Sequence, residues 1–235
     1  MEERRRRNEA AYFLILLTYL LAVVSRPALI SLIFLPVMIL HAFTIDLVLP
    51  KVLSRKLGFK EVSLLALNTI PYIYFFTPFS FIPAIAFLLS IILAYTSSKI
   101  LPQLLGTLGI PLLYLPLVQI FGGIRTIDIG AYLIWSTYIL TEAIYVEYKL
   151  PYRKVSANQL RASWIVSLIV DVYPILISPL FILPLIEPTI RFMKPGEKLK
   201  AASQIKELGK KGLKKTIVVL LLLIVIILIH EMLAL

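Results

Sequence analysis

Three carboxylates sit where so apolar a chain has least use for them. Asp46, Glu142 and Asp171 each fall inside an apolar stretch, and ionisable groups in such stretches usually face a bundle interior or a wet cavity. Acids placed this way hold a divalent cation or move protons. Asp128, the third of the three aspartates, has Arg125 nearby and reads as a solvated surface pair. Tyr138, Thr141, Glu142, Tyr145, Tyr148 and Lys149 recur at three- and four-residue spacing, which gives one helix a polar, aromatic face. His41 precedes Asp46 on one stretch, and Tyr173 follows Asp171 on another. The candidate substrate pocket is therefore His41, Asp46, Tyr138, Glu142, Tyr145, Asp171 and Tyr173, with Asp46, Glu142 and Asp171 as candidate metal ligands. The competing reading is that these buried polar groups only bond helix to helix.

The elements that must position these residues are membrane helices. The chain has 235 residues, 60% of them hydrophobic, and its mean hydropathy is +0.92. Residues 28–50, 78–98, 129–148 and 216–235 reach the length of about 18 apolar residues expected of a spanning helix. Of 24 Lys and Arg, 22 lie in five places: Arg4 to Arg7, 51–60, Lys99, 149–161 and 191–215. Arg26 and Arg125 are the two in the gaps between. Lys/Arg excess marks cytoplasmic loops, so those five places read as cytoplasmic and the N-terminus as inside. The head followed by 11–25 has no small-residue cleavage site and reads as a retained first helix rather than a signal peptide. A net charge of +11 is then a topology signal and a source of attraction to anionic lipid headgroups. The basic clusters carry no nucleic-acid-binding pattern, so nucleic acid is not an expected partner. Without cysteine, disulfides, thiolate metal sites and Cys nucleophiles are excluded.

The spans read as 10–25, 28–50, 61–76, 80–98, 100–121, 129–148 and 216–235. Segment 162–190 lies between two basic loops and must enter the membrane and return in 29 residues, where two full crossings need about 40. Pro174, Pro179, Pro184 and Pro188 interrupt it. A short or re-entrant hairpin fits, with one long kinked span as the alternative. In loop 191–215, Leu199, Ala202, Ile205 and Leu208 form a narrow apolar stripe among lysines, as in a short interfacial helix. An ordinary solvated basic linker is the competing reading of that loop. The expected fold is a single all-α integral membrane domain covering 1–235. It has seven full spans plus the proline-broken hairpin, about nine membrane segments, as a multi-pass protein of the cell membrane.

Several motifs fail. Residues 209–216 (GKKGLKKT) lack phosphate-loop spacing, and His230-Glu231 lacks the second histidine of a zinc protease. No serine-centred elbow or deaminase pattern occurs.

The order of loops and spans resembles the UbiA superfamily of intramembrane prenyltransferases, and more closely the smaller YwiC-like membrane proteins. Residues 141–154 (TEAIYVEYKLPYRK) are similar to the end of helix 6 in UbiA enzymes. Residues 205–215 (IKELGKKGLKK) before a final span are similar to the YwiC-like C-terminus. The resemblance implies two acid-rich motifs holding magnesium on a prenyl diphosphate. The first region, 41–56, keeps only Asp46; the second keeps Glu142 and Glu147, with Lys149 and Arg153 where further acids are expected.

Three functions follow as expectations. One is a divergent UbiA-like protein handling an isoprenoid or lipid in a cytoplasm-facing pocket, with Lys51, Arg55, Lys149, Arg153 and Lys154 on the headgroup. Another is a small proton- or cation-coupled transporter using Glu142 and Asp171. The third is a non-catalytic subunit of a membrane complex.

Overall fold

With no water in a bilayer core, backbone polar groups must be satisfied within a segment, and apolar runs of this length become helices. The computed structural model describes residues 9–95, 100–201 and 204–234. Its helices are α1 (Glu9–Ser25), α2 (Leu29–Leu53), α3 (Phe59–Tyr74), α4 (Phe81–Ala94), α5 (Leu101–Leu112), α6 (Tyr114–Gly122), α7 (Thr126–Lys149), α8 (Ala157–Ile177), α9 (Leu183–Met193) and α10 (Ile205–Ala234). No strand occurs among the described residues. Lys99, Arg4 to Arg7 and Ala202 lie outside the described residues.

Among the described residues, five stretches are long and apolar enough to cross a membrane: Leu29–Val52, Leu101–Gly122, Thr126–Lys149, Ala157–Ile177 and Ile205–Leu233. Leu101–Gly122 comprises α5 and α6, which meet at Leu113. The first helix and the fourth are apolar but shorter. At 1.5 Å per residue, the 16 residues of α3 reach only about 24 Å. The sequence therefore locates the helices, while full spanning length is met by five of them.

The two ends of the bundle are chemically different. At one end the Arg55 Nε donates to the Ala94 carbonyl at 3.1 Å. At that same end Arg153 reaches Gln103 at the start of α5 (3.4 Å), and the Leu199 N–H donates to the Lys149 carbonyl (3.0 Å). At the other end Arg125 donates to the Ser25 carbonyl (2.6 Å) and, through two nitrogens, to Asp128 (2.9 and 3.1 Å). It also pairs with Glu231 near the end of α10. Arg26 donates to the Gly123 carbonyl at 2.8 Å. Asp128, read as a solvated pair, is in fact fully buried and caps α7 by accepting from the Arg125 N–H at 2.8 Å.

Segment 162–190 is a hairpin, and an asymmetric one. Ser156 caps α8, its Oγ accepting from the Gln159 N–H (3.2 Å) while Gln159 accepts from the Ser156 N–H (2.8 Å). That reciprocal cap starts the helix earlier than the sequence reading and gives α8 21 residues. The chain turns through a 3₁₀ segment at Pro179–Ile182 and returns as the 11-residue α9. The Arg161 Nε donates to the Met193 carbonyl at 3.0 Å, so the hairpin closes at the basic end. The tip is seated by Gly130, where an added Cβ would stand 2.7 Å from the Phe181 ring.

Helix α7 is the hub. It packs against α5, α6, α8 and α10, and its Ile127, Ala131, Ile134 and Trp135 are fully buried. The expected interfacial helix near 199–208 is not a separate element. Helix α10 starts at Ile205 and runs unbroken to Ala234, with Leu208 packed against the core. Its 30 residues measure about 45 Å, longer than a hydrocarbon core of about 30 Å.

Candidate functional site

The seam of α7, α9 and α10 holds a cluster of four charged side chains, two of them largely buried. Arg191, at the end of α9, pairs with Glu142 of α7. Its Nε stands 3.2 Å from Glu187 Oε1, one turn back on α9. Lys215 of α10 donates to that same Glu187 oxygen at 2.5 Å. Arg191 also reaches the Tyr138 hydroxyl (3.4 Å), which stands 3.2 Å from Thr216 Oγ1. The guanidinium lies over Phe192 at 4.4 Å and Tyr145 at 5.1 Å, so aromatic faces share the cost of keeping a cation from water. The Arg191 and Glu142 side chains are 8% and 14% exposed, against 45% for Glu187 and 40% for Lys215. The cluster thus grades from sealed to half open.

Local sequence explains how these groups meet. Tyr138, Glu142 and Tyr145 follow helical spacing on α7, as the sequence reading had it. Glu187 and Arg191 are four apart on α9 and face the same way. Gly212 leaves the room: a Cβ there would approach Glu142 Oε1 to 3.0 Å.

Segment 194–200 straps this site from the basic end. Tyr148 donates through its hydroxyl to the Gly196 carbonyl. Lys149 Nζ donates to the Glu197 carbonyl (2.6 Å), and Lys198 Nζ to the Arg153 carbonyl (2.5 Å). Gly196 has φ +66, a left-handed turn that suits glycine.

Other expected site residues lie elsewhere. Asp171 of α8 is fully buried against Thr137 of α7. Glu142 faces Arg191 instead, so these two acids occupy different seams. Asp46 is half-buried on α2, whose main neighbours are α1, α3 and α4. His41 is buried on α2 with its ring 5.5 Å from that of Tyr72 on α3. Tyr173 is 48% exposed on the outer face of α8. The expected metal trio Asp46, Glu142 and Asp171 is thus not assembled, and among the described residues no three His, Asp or Glu side chains converge. Magnesium takes carboxylates together with phosphates or water in a near-octahedral shell. Glu142 and Glu187 are both engaged by Arg191, and Glu147 by Arg153 at 2.8 Å, so the acids present do not fit that role as arranged.

The expected headgroup cations divide in the same way. Lys51 and Lys154 are exposed at the basic end, as is Arg55 beside Ala94. Lys149 is 9% exposed and strapped to Glu197, while Arg153 is held by Glu147 and Gln103. Lys215 was not foreseen and Arg191 was read only as a pairing partner for Glu187, because a basic loop and a buried arginine look alike in sequence. The spacing of Glu187 and Arg191 was the available signal. Beside the strap, Leu199, Gln204, Glu207, Leu208 and Lys211 line a hollow of about 230 Å³.

Compared with known proteins, the chain matches no family model, no curated protein and no solved structure.

Proposed function

We propose that the chain is a multi-pass protein of the cell membrane that binds an anionic amphiphile, an isoprenoid or lipid phosphate, from its basic end. The observation that carries this reading is the pair Arg191 and Lys215. Arg191 stands against the Phe192 and Tyr145 rings on a short proline-broken arm, and Lys215 on the neighbouring helix shares its partner Glu187. Each is now neutralised by an internal carboxylate, and a phosphate replaces that carboxylate as a multidentate acceptor. The likeness of 141–154 and 205–215 to UbiA and YwiC-like proteins agrees, since both stretches border this seam. About nine membrane segments with the N-terminus inside complete the proposal, because the basic end gathers the Lys/Arg excess.

Binding in nanodiscs tests it. A labelled polyprenyl diphosphate binds the wild type more tightly than the neutral polyprenol, and Lys215→Gln and Arg191→Gln weaken the diphosphate selectively. Equal binding of the two amphiphiles, or no effect of either substitution in folded protein, overturns the reading.

A subunit role is the second reading, favoured by α3. None of its described side chains is buried, and it packs chiefly against α2. A co-purifying membrane partner lost on substituting Ile70 and Ile73 supports that role.

A further inference from the structure

Asp171 has no exposed surface, and the partner the structure gives its carboxyl is one hydroxyl. Thr137 Oγ1 lies 3.0 Å from Oδ1 and 3.1 Å from Oδ2. The same oxygen lies 2.9 Å from the Leu133 carbonyl and 3.2 Å from the Ile134 carbonyl. A threonine hydroxyl has one proton to give, yet four acceptors surround it. An ionised Asp171 would compete for that proton against two backbone carbonyls, inside an apolar bundle that penalises the charge. A neutral acid resolves the count. Its own O–H donates to Thr137 Oγ1, and the Thr137 proton goes to the Leu133 carbonyl.

The charged and titratable groups on neighbouring elements are turned elsewhere. On α7, Tyr138 and Glu142 face Thr216 and Arg191; on α9, Glu187 and Arg191 are engaged with Lys215 and Glu142. On α8, Arg161 is held by Met193 and Asn158, and Tyr173 faces outward. Residues 101–112 of α5 and 179–182 of the turn contain no titratable side chain. One helical turn nearer the basic end, the same α7–α8 seam holds a second hydroxyl contact, Thr141 Oγ1 to Ser167 Oγ at 3.1 Å, with both residues buried. Thr137 and Thr141, like Ser167 and Asp171, are four residues apart on antiparallel helices, so the two contacts stack along the seam.

We propose that Asp171 and Thr137 form an intramembrane proton-binding site, which exchanges its proton with water at the basic end along the Thr141–Ser167 hydroxyls. The site is independent of the lipid-phosphate reading, since it lies on another seam and shares no residue with it.

Infrared difference spectroscopy on protein in nanodiscs at neutral pH tests the assignment. Subtracting Asp171→Asn from wild type leaves the C=O stretch of a carboxylic acid, and that band shifts down in D₂O. Thr137→Val moves the band without removing it, which keeps the test open if Asp171→Asn does not fold. In the T141V/S167A double variant, exchange into D₂O slows several-fold. Loss of carboxylate stretches in place of an acid band, or a band unmoved by Thr137→Val, overturns the proton site. Unchanged exchange in the double variant overturns the route.

Discussion

A buried cation is tolerable only while its partners stay in place. Arg191 depends on Glu142 for its sealed half and on Glu187 for its half-exposed one. Glu142→Gln removes the sealed half's charge and keeps its shape. The expected cost is about 3 kcal/mol, the scale for breaking a buried pair, read as a lower thermal midpoint in detergent. The double variant Glu142→Gln with Arg191→Gln recovers part of that loss, and a double-mutant cycle measures the coupling. Additive losses contradict the pairing. In sequence, the polar face of α7 announced Glu142, Tyr138 and Tyr145 together, because helical spacing is visible in one segment. Of their counterparts, Lys215 was not visible, and Arg191 was visible only as a pair for Glu187. Arg191 and Lys215 belong to a run of nine basic residues at 191–215 that topology alone accounts for, and only packing distinguishes two of them from the rest.

The short arm α9 is held at both ends, by Phe181 against Gly130 at its tip and by Arg161 against Met193 at its base. Gly130→Ala puts a methyl group into the Phe181 ring, and overpacking of this kind costs about 1–3 kcal/mol. The expected result is a lower midpoint with faster proteolysis near 179–182, restored by adding Phe181→Leu. If Gly130→Ala is neutral, the tip is not seated as described. Two basic loops and four prolines pointed to a chain reversal here, and the structure has one, although α8 is a full-length helix rather than a short arm. The sequence reading misplaced its proportions, because the capping box at Ser156 and Gln159 lengthens α8 while Pro174 is accommodated inside that helix. The start of α10 was missed for a related reason. Lysine-rich turns at 206–215 read as interface, yet lysine is a good helix former and the helix simply continues outward from the membrane.

At the level of the whole molecule, charge sorts the loops to two ends, and the absence of cysteine makes this directly measurable. Single cysteines placed at Lys154 and Lys200 label from the same side, and one at Gly123 labels from the opposite side. Labelling of 154 and 200 from different sides contradicts the closed hairpin. The spans read at 28–50, 100–121, 129–148 and 216–235 match four of the five full-length stretches, whereas the fifth, α8, was read as part of a short hairpin, and 78–98 is a shorter helix than its apolar run suggested. One feature of the bundle also bears on how the protein is made. Helix α10 packs between the first helix and α7, burying Leu220, Leu223, Ile226 and Ile227, and Glu231 joins Arg125 and Ser25 at the far end. A helix that leaves the ribosome after all the helices it packs against is therefore the one that completes the interior. Until it arrives, the earlier helices wait in lipid with their inner faces unfilled and Glu187 without Lys215. A nascent chain arrested before residue 205 should stay sensitive to membrane quality-control proteases, and α10 supplied as a separate polypeptide should rescue it.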